Sequence, residues 1–241
     1  MANFETHLAV ASMSSGVFSI TTLAANLATP TQATGYFLLG VIGGLLPDID
    51  SNNSTPVKIF FKLLALGLAF ASLFKLAYRY SVVELFTIWL GIYLVVRFIV
   101  FEAFTRLTVH RGILHSLLAA IFFGALTTSI AYHTVHLPAD VAWLSGLALL
   151  LGYVVHLVLD ELFSVDVLNN TVKRSFGTAL KLANFSDWRA SILLAAITLA
   201  LVATLPDPQV TLSHILDPQT YTNIRAKLFP EGRWFADLVN R

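Results

Sequence analysis

Apolar positions in this chain come in long blocks, and polar residues gather in the short gaps between them. A bilayer core roughly 30 Å thick asks for about 20 predominantly apolar residues per spanning helix. Four blocks meet that requirement directly: Ile59 to Tyr78, Glu84 to Phe104, Ile113 to Tyr132 and Val141 to Phe163. A fifth, Ala190 to Leu205, is shorter and carries no charge. Two N-terminal blocks are weaker. Ala9 to Ala28 is rich in Ser and Thr, and Gly35 to Leu46 is too short to cross without tilt, thinning or re-entry. These two read as a hairpin packed within a bundle, with Thr29 to Thr34 as the turn. Gly40, Gly43 and Gly44 would let its helices approach their neighbours closely.

The expected architecture is therefore an all-α polytopic bundle of about five to seven membrane segments. Residues 1–205 form a membrane-embedded domain and residues 206–241 a polar tail with one short amphipathic helix at most. The stretch Met1 to His7 has no Lys or Arg, and the first basic residue is Lys58, so no cleavable signal peptide is expected. Composition narrows the class further. Of all residues 56% are apolar or aromatic and 12% charged, against about 25% charged in an ordinary soluble domain. Mean hydropathy is +0.75. With no cysteine, thiolate–zinc, iron–sulfur and disulfide chemistry are excluded, and any metal must be held by imidazole, carboxylate or backbone oxygen. Fifteen Lys and Arg against fourteen Asp and Glu leave no basic stripe for nucleic acid, so membrane lipids are the expected surroundings.

If each segment crosses once, the chain alternates between two faces of the membrane. His7, Asp48, Asp50, His110, His115, His156 and Asp160 then fall at one end of the bundle, while His133, His136 and His214 fall at the other. Basic residues near the first end (Lys58, Lys62, Arg106, Arg111, Lys173, Arg174, Lys181, Arg189) outnumber those of the short opposite loops (Lys75, Arg79). The positive-inside rule accordingly puts the first end in the cytoplasm, although the tail brings further basic residues to the other side.

The chemistry gathers in four short motifs. His156 and Asp160 are four apart in an apolar run, so a helix projects them from one face about a turn apart. Ionisable groups at membrane depth are costly and face a cavity or a partner. The pair can grip one divalent ion, or form a structural hydrogen bond between helices. Asp48 and Asp50 follow Pro47 at the end of the Gly-rich segment, where negative charge opposes the helix dipole and calls for a cation. Capping of a following helix is the simpler alternative. His110-Arg111-Gly112-Ile113-Leu114-His115-Ser116 brings two imidazoles and a guanidinium to the mouth of a helix, and either histidine suits as the ligand. Arg111 is suited to bidentate holding of a phosphate. His7 joins the set only through its place at the same end. Mixed imidazole and carboxylate ligation without thiolate suits Zn²⁺ first, with Mn²⁺ or Fe²⁺ as alternatives, in one or two positions.

This ordered set, from His7 through Leu46-Pro47-Asp48-Ile49-Asp50-Ser51 and the His110 to Ser116 stretch to Gly152-x-x-x-His156-x-x-x-Asp160, resembles the YdjM-like family of inner-membrane proteins ascribed metal-dependent hydrolysis. That family is similar in turn to zinc-dependent phospholipase C and the fungal single-strand nucleases. The resemblance spans roughly Met1 to Ile192. It implies an all-helical hydrolase in which Asp48 or Asp50, His115, His156 and Asp160 surround one ion and His7 serves a second. The soluble relatives' further His set after the His-x-x-x-Asp helix has no counterpart here, so a third zinc is not expected. The expected reaction is cleavage of a phosphate ester, plausibly of a lipid, by a water acidified at the ion. Arg111 would neutralise a non-bridging oxygen, and His110 would protonate the leaving group or add a ligand. The rival expectation is a transporter or channel using the same groups as a proton or cation relay. It calls for related halves and broken helices, and no internal repeat is visible. A non-catalytic scaffold with a structural metal is the third.

Overall fold

The computed structural model describes residues 4–50, 61–62, 65–66, 68–70, 72–73, 76, 80–102, 113–163, 165–166, 171–172, 180–183 and 188–228. Two compact units emerge, one made of residues 1–47 and 115–241, the other of residues 48–114. Each is described by itself.

In the first unit, α1 (Phe4–Ala24) and α2 (Pro30–Leu45) form the N-terminal hairpin. His7, Ala11, Ser15, Ser19 and Thr22 of α1 are buried, while Leu8, Met13, Val17 and Ile20 are exposed. Small and polar residues thus face the bundle and large apolar ones face outward, the arrangement expected where the surroundings are lipid and packing rather than hydrophobicity joins helices. Asn26 at φ 60° closes α1, with Leu27 N–H donating to the Thr22 carbonyl at 2.9 Å. This six-to-one bond ends the helix and satisfies a terminal carbonyl. Pro30 opens α2 rather than sitting within the turn. The Thr29 hydroxyl accepts from Gln32 N–H and the Gln32 amide oxygen accepts from Thr29 N–H. That capping box, with proline at the first helical position, starts the helix five residues earlier than the apolar pattern suggests.

The second unit contains α3 (Val82–Leu94), extended by a π-helical turn over Val95–Val100. Beyond Glu84 and Thr87 it is apolar, and it has no buried residue along its α-helical part. Glu84 fixes its start by accepting from Ser81 N–H at 2.8 Å. Helical residues between 61 and 76 lie against it, with Phe61 on Phe101 and Phe70 on Trp89, both edge to face. The expected span from Ile59 to Tyr78 is described only in part.

The first unit resumes with α4 (Leu117–Ser129), a π-turn over Ile130–Thr134, and α5 (Ala139–Leu162). α4 begins four residues later than its apolar block. Ser116 is extended and its hydroxyl caps Ala119 N–H, while Leu117 and Leu118 N–H donate to the carbonyls of Lys181 and Leu182. Terminal donors that lack an intrahelical partner are thereby satisfied. After a two-residue antiparallel pairing of Val165–Asp166 with Thr171–Val172 comes α6 (Trp188–Val202). The described part of the tail, to residue 228, holds two short helices rather than one, α7 (Gln209–Leu216) and α8 (Pro218–Leu228), packed on α5 and α1 respectively. Asp207 and Asp217 start them by accepting from Gln209 and Gln219 N–H.

α5 is the axis of this unit, packed against α1, α2 and α4, while α4 also carries α6. A Cβ on Gly43 would strike the Leu149 carbonyl, and one on Gly152 the Gly40 carbonyl. The α2–α5 crossing therefore brings backbone to backbone, as the glycine spacing predicts. Among the described residues, four helical stretches are long and apolar enough to span a membrane: Phe4–Ala24, Val82–Val100, Leu117–Thr134 and Ala139–Leu162. α1 thus qualifies on its own despite its hydroxyl content.

Candidate metal centre

The last two turns of α5 carry His156 and Asp160, both buried and on one face. The first turn of α1 adds His7, also buried. His115, two residues before α4, adds a third imidazole that is 15% exposed. Three stretches far apart in sequence thus converge on one carboxylate. His7 Nε2 lies 3.2 Å from Asp160 Oδ1, and His115 Nε2 and His156 Nε2 lie 3.5 and 3.6 Å from Oδ2. The rings of His7 and His156 stack with centroids 3.8 Å apart and an interplanar angle of 14°.

One contact decides how His156 presents itself. Its Nδ1 lies 2.8 Å from the Gly44 carbonyl oxygen. A carbonyl can only accept, so Nδ1 carries the proton and donates it. In the neutral ring Nε2 is then left with a lone pair directed at Asp160. Orientation of a ligating imidazole by a backbone carbonyl on its other nitrogen is a recurrent feature of metal sites. The contact depends on how tightly α2 is held between its neighbours, because a Cβ on Gly44 would collide with Ala11 of α1 and one on Gly43 with the Leu149 carbonyl of α5.

The donor set fits a divalent cation. Ligand atoms of His7, His156 and Asp160 all lie within 4.8 Å of one another. A tetrahedral ion bonded at about 2.0–2.1 Å spaces its donors by about 3.4 Å. The three imidazole–carboxylate separations straddle that value. Neither nitrogen of His7 makes a hydrogen bond, nor does Nε2 of His115, although all three atoms are buried. Buried polar atoms are ordinarily paired. A cation at the centre would satisfy those aimed inward and screen the buried carboxylate.

A family model described as YdjM inner membrane protein matches residues 1–205. The chain belongs to the YdjM inner membrane protein family. This YdjM-family protein is an integral inner membrane protein, in agreement with its apolar spans. No curated protein and no solved structure matches the chain. The family match runs through α6 and stops before the tail helices.

Of the residues singled out in the sequence, the fold joins His7, His115, His156 and Asp160. Asp48 is half-buried in a 3₁₀ turn over Pro47–Asp50, at the start of the second unit. The Asp50 side chain and both His110 and Arg111 lie outside the described residues. The Gly44 carbonyl was not foreseen. Gly40, Gly43 and Gly44 signal a close helix crossing, but nothing in a linear pattern says which carbonyl meets His156. His133 and His214 do fall at the far end of the bundle. His133 Nε2 lies 2.8 Å from the carbonyl of Thr204, just beyond α6.

Proposed function

We propose that this YdjM-family protein is a membrane-embedded, divalent-metal-dependent hydrolase of phosphate esters, with a lipid-borne ester as the favoured substrate. The observation that carries the reading is three imidazoles turned on one buried carboxylate, with the His156 proton committed to Gly44. His7, His115, His156 and Asp160 would hold the ion, and Asp48 and Asp50 are proposed as further ligands. When bound, a Zn²⁺ or Mn²⁺ ion supplies Lewis acidity towards water and towards a phosphoryl oxygen.

The chain's own residues have separate tasks in this reading. Gly44 holds the His156 ring, and burial of His7, His156 and Asp160 keeps bulk water from competing for the donors. Arg111 is proposed to pair with a non-bridging phosphoryl oxygen, and His110 to deliver a proton to the leaving alkoxide. A proton or cation relay remains the rival, favoured by the burial of His156 and Asp160 on a spanning helix. Against it, His156 and Asp160 both lie in the last two turns of that helix rather than near its middle.

Elemental analysis of the full-length protein in detergent, beside assays of phosphodiester and phosphomonoester hydrolysis, tests the proposal. The expected result is stoichiometric zinc or manganese and turnover, with both lost in the His156→Ala, Asp160→Ala double variant. Full activity and unchanged metal in that variant would sink the reading. Ion flux in proteoliposomes without hydrolysis would replace it with the relay.

A further inference from the structure

A second polar site lies at the other end of α5. A cavity of about 120 Å³ opens there, lined by Asn26 at the close of α1, Asp140 and Leu144 in the first turns of α5, and Thr211, His214 and Ile215 of α7. Twenty residues of helix separate Asp140 from Asp160, about 30 Å at 1.5 Å per residue. This site is therefore independent of the metal centre and of the function proposed for it. Residues beyond 205 supply Thr211, His214 and Ile215, so the tail outside the family match completes the cavity.

The lining has a polarity along its depth. Asp140 accepts from Val141 N–H at 2.9 Å, and no basic side chain among the described residues forms an ion pair with it. Thr211 is 4% exposed, and its hydroxyl has no hydrogen-bond partner. Such a carboxylate and hydroxyl call for a donor that is also a cation. The rim is opposite in character. Lys227 Nζ donates to the Asn26 side-chain oxygen at 2.6 Å, and the exposed Asn26 and His214 both line the cavity. An ammonium, an amide and an imidazole together are suited to an anion.

Depth and size narrow the ligand. Asn26 lies two residues past the span Phe4–Ala24, and Asp140 is the second residue of the span Ala139–Leu162. Both sit where the roughly 30 Å hydrocarbon core gives way to headgroups. A two-carbon arm ending in a primary ammonium has the bulk of two or three waters, at about 30 Å³ each, and fits the cavity. A trimethylated ammonium offers no N–H to Asp140 and is held elsewhere by aromatic cages. Among the described residues, no Phe, Tyr or Trp lines this cavity.

We propose that the cavity formed by Asn26, Asp140, Thr211 and His214 binds the phosphoethanolamine headgroup of a membrane lipid, its ammonium on Asp140 and Thr211 and its phosphate at the Lys227–Asn26 rim. The test uses delipidated full-length protein in maltoside detergent, with native mass spectrometry and thermal unfolding as readouts. The added probes are phosphatidylethanolamine, phosphatidylcholine with the same chains, or water-soluble O-phosphoethanolamine.

The wild-type chain is expected to prefer phosphatidylethanolamine over phosphatidylcholine by about tenfold or more. Asp140→Asn keeps an oxygen for Val141 N–H but loses the charge, and Thr211→Val keeps the shape but loses the hydroxyl. Each is expected to bring the two lipids towards parity while leaving bound metal unchanged. Binding of O-phosphoethanolamine with no preference between the lipids would overturn the lipid source and assign the cavity to a soluble amine. Absence of any ethanolamine preference, or one unchanged in both variants, would overturn the site.

Discussion

His156 does two things with one ring. Its Nδ1–H donates to the Gly44 carbonyl, and its Nε2 faces Asp160. Nitrogen-15 spectra of histidine-labelled protein are expected to show this residue protonated at Nδ1, with the Nε2 signal moving when zinc is added. An Nε2–H tautomer without metal would contradict the donor assignment. Because an ion that binds only the folded state stabilises it by mass action, chelation should lower the unfolding temperature. The expected loss is about 4 kcal/mol if free metal stood at a thousandfold its dissociation constant. The His7→Ala variant is expected to unfold at the same temperature with and without chelator. At this scale the sequence was informative about chemistry and silent about partners. The four-residue spacing of His156 and Asp160 specifies a shared helix face, whereas nothing near His7 distinguishes it from an incidental terminal histidine.

At the scale of elements, the α2–α5 crossing controls the site because it sets how near Gly44 comes to His156. Two glycines make the point by contrast. A Cβ on Gly152 would meet the Gly40 carbonyl, whereas one on Gly16 would meet nothing within 4 Å. Gly152→Ala should therefore cost about 1–3 kcal/mol, the range for overpacking a close contact. Gly16→Ala should stabilise by about 0.5–1 kcal/mol through the entropy of the unfolded chain. Thermal unfolding of the two variants in one detergent measures both signs, and bound zinc should fall only in Gly152→Ala. Helix existence was readable from apolar length. Boundaries were not, because capping side chains such as Thr29, Ser116 and Asp217 set them by hydrogen bonds rather than by hydropathy.

For the whole molecule, the first unit places the start of α1 and the end of α6 at opposite ends of the bundle, since His7 meets the C-terminal turns of α5 while Thr204 and Pro206 meet His133 and Trp143. Reporter fusions at the two termini are accordingly expected to lie on opposite sides of the inner membrane. The loop basic residues predict a cytoplasmic N-terminus and a periplasmic fusion after Arg241. Identical sides for both reporters would refute the crossing pattern. Sequence by itself determined the membrane class, the helical content, the absence of thiolate chemistry and the donor types available, because each depends on composition or on spacing within one element. Tertiary structure alone decided that His7 and His115 share Asp160 with His156, that Gly44 aims that ring, and that the tail closes a polar cavity on Asp140. Those are meetings of residues tens to more than a hundred positions apart. They arise from how closely backbones pack, a property of paired surfaces that no single stretch encodes.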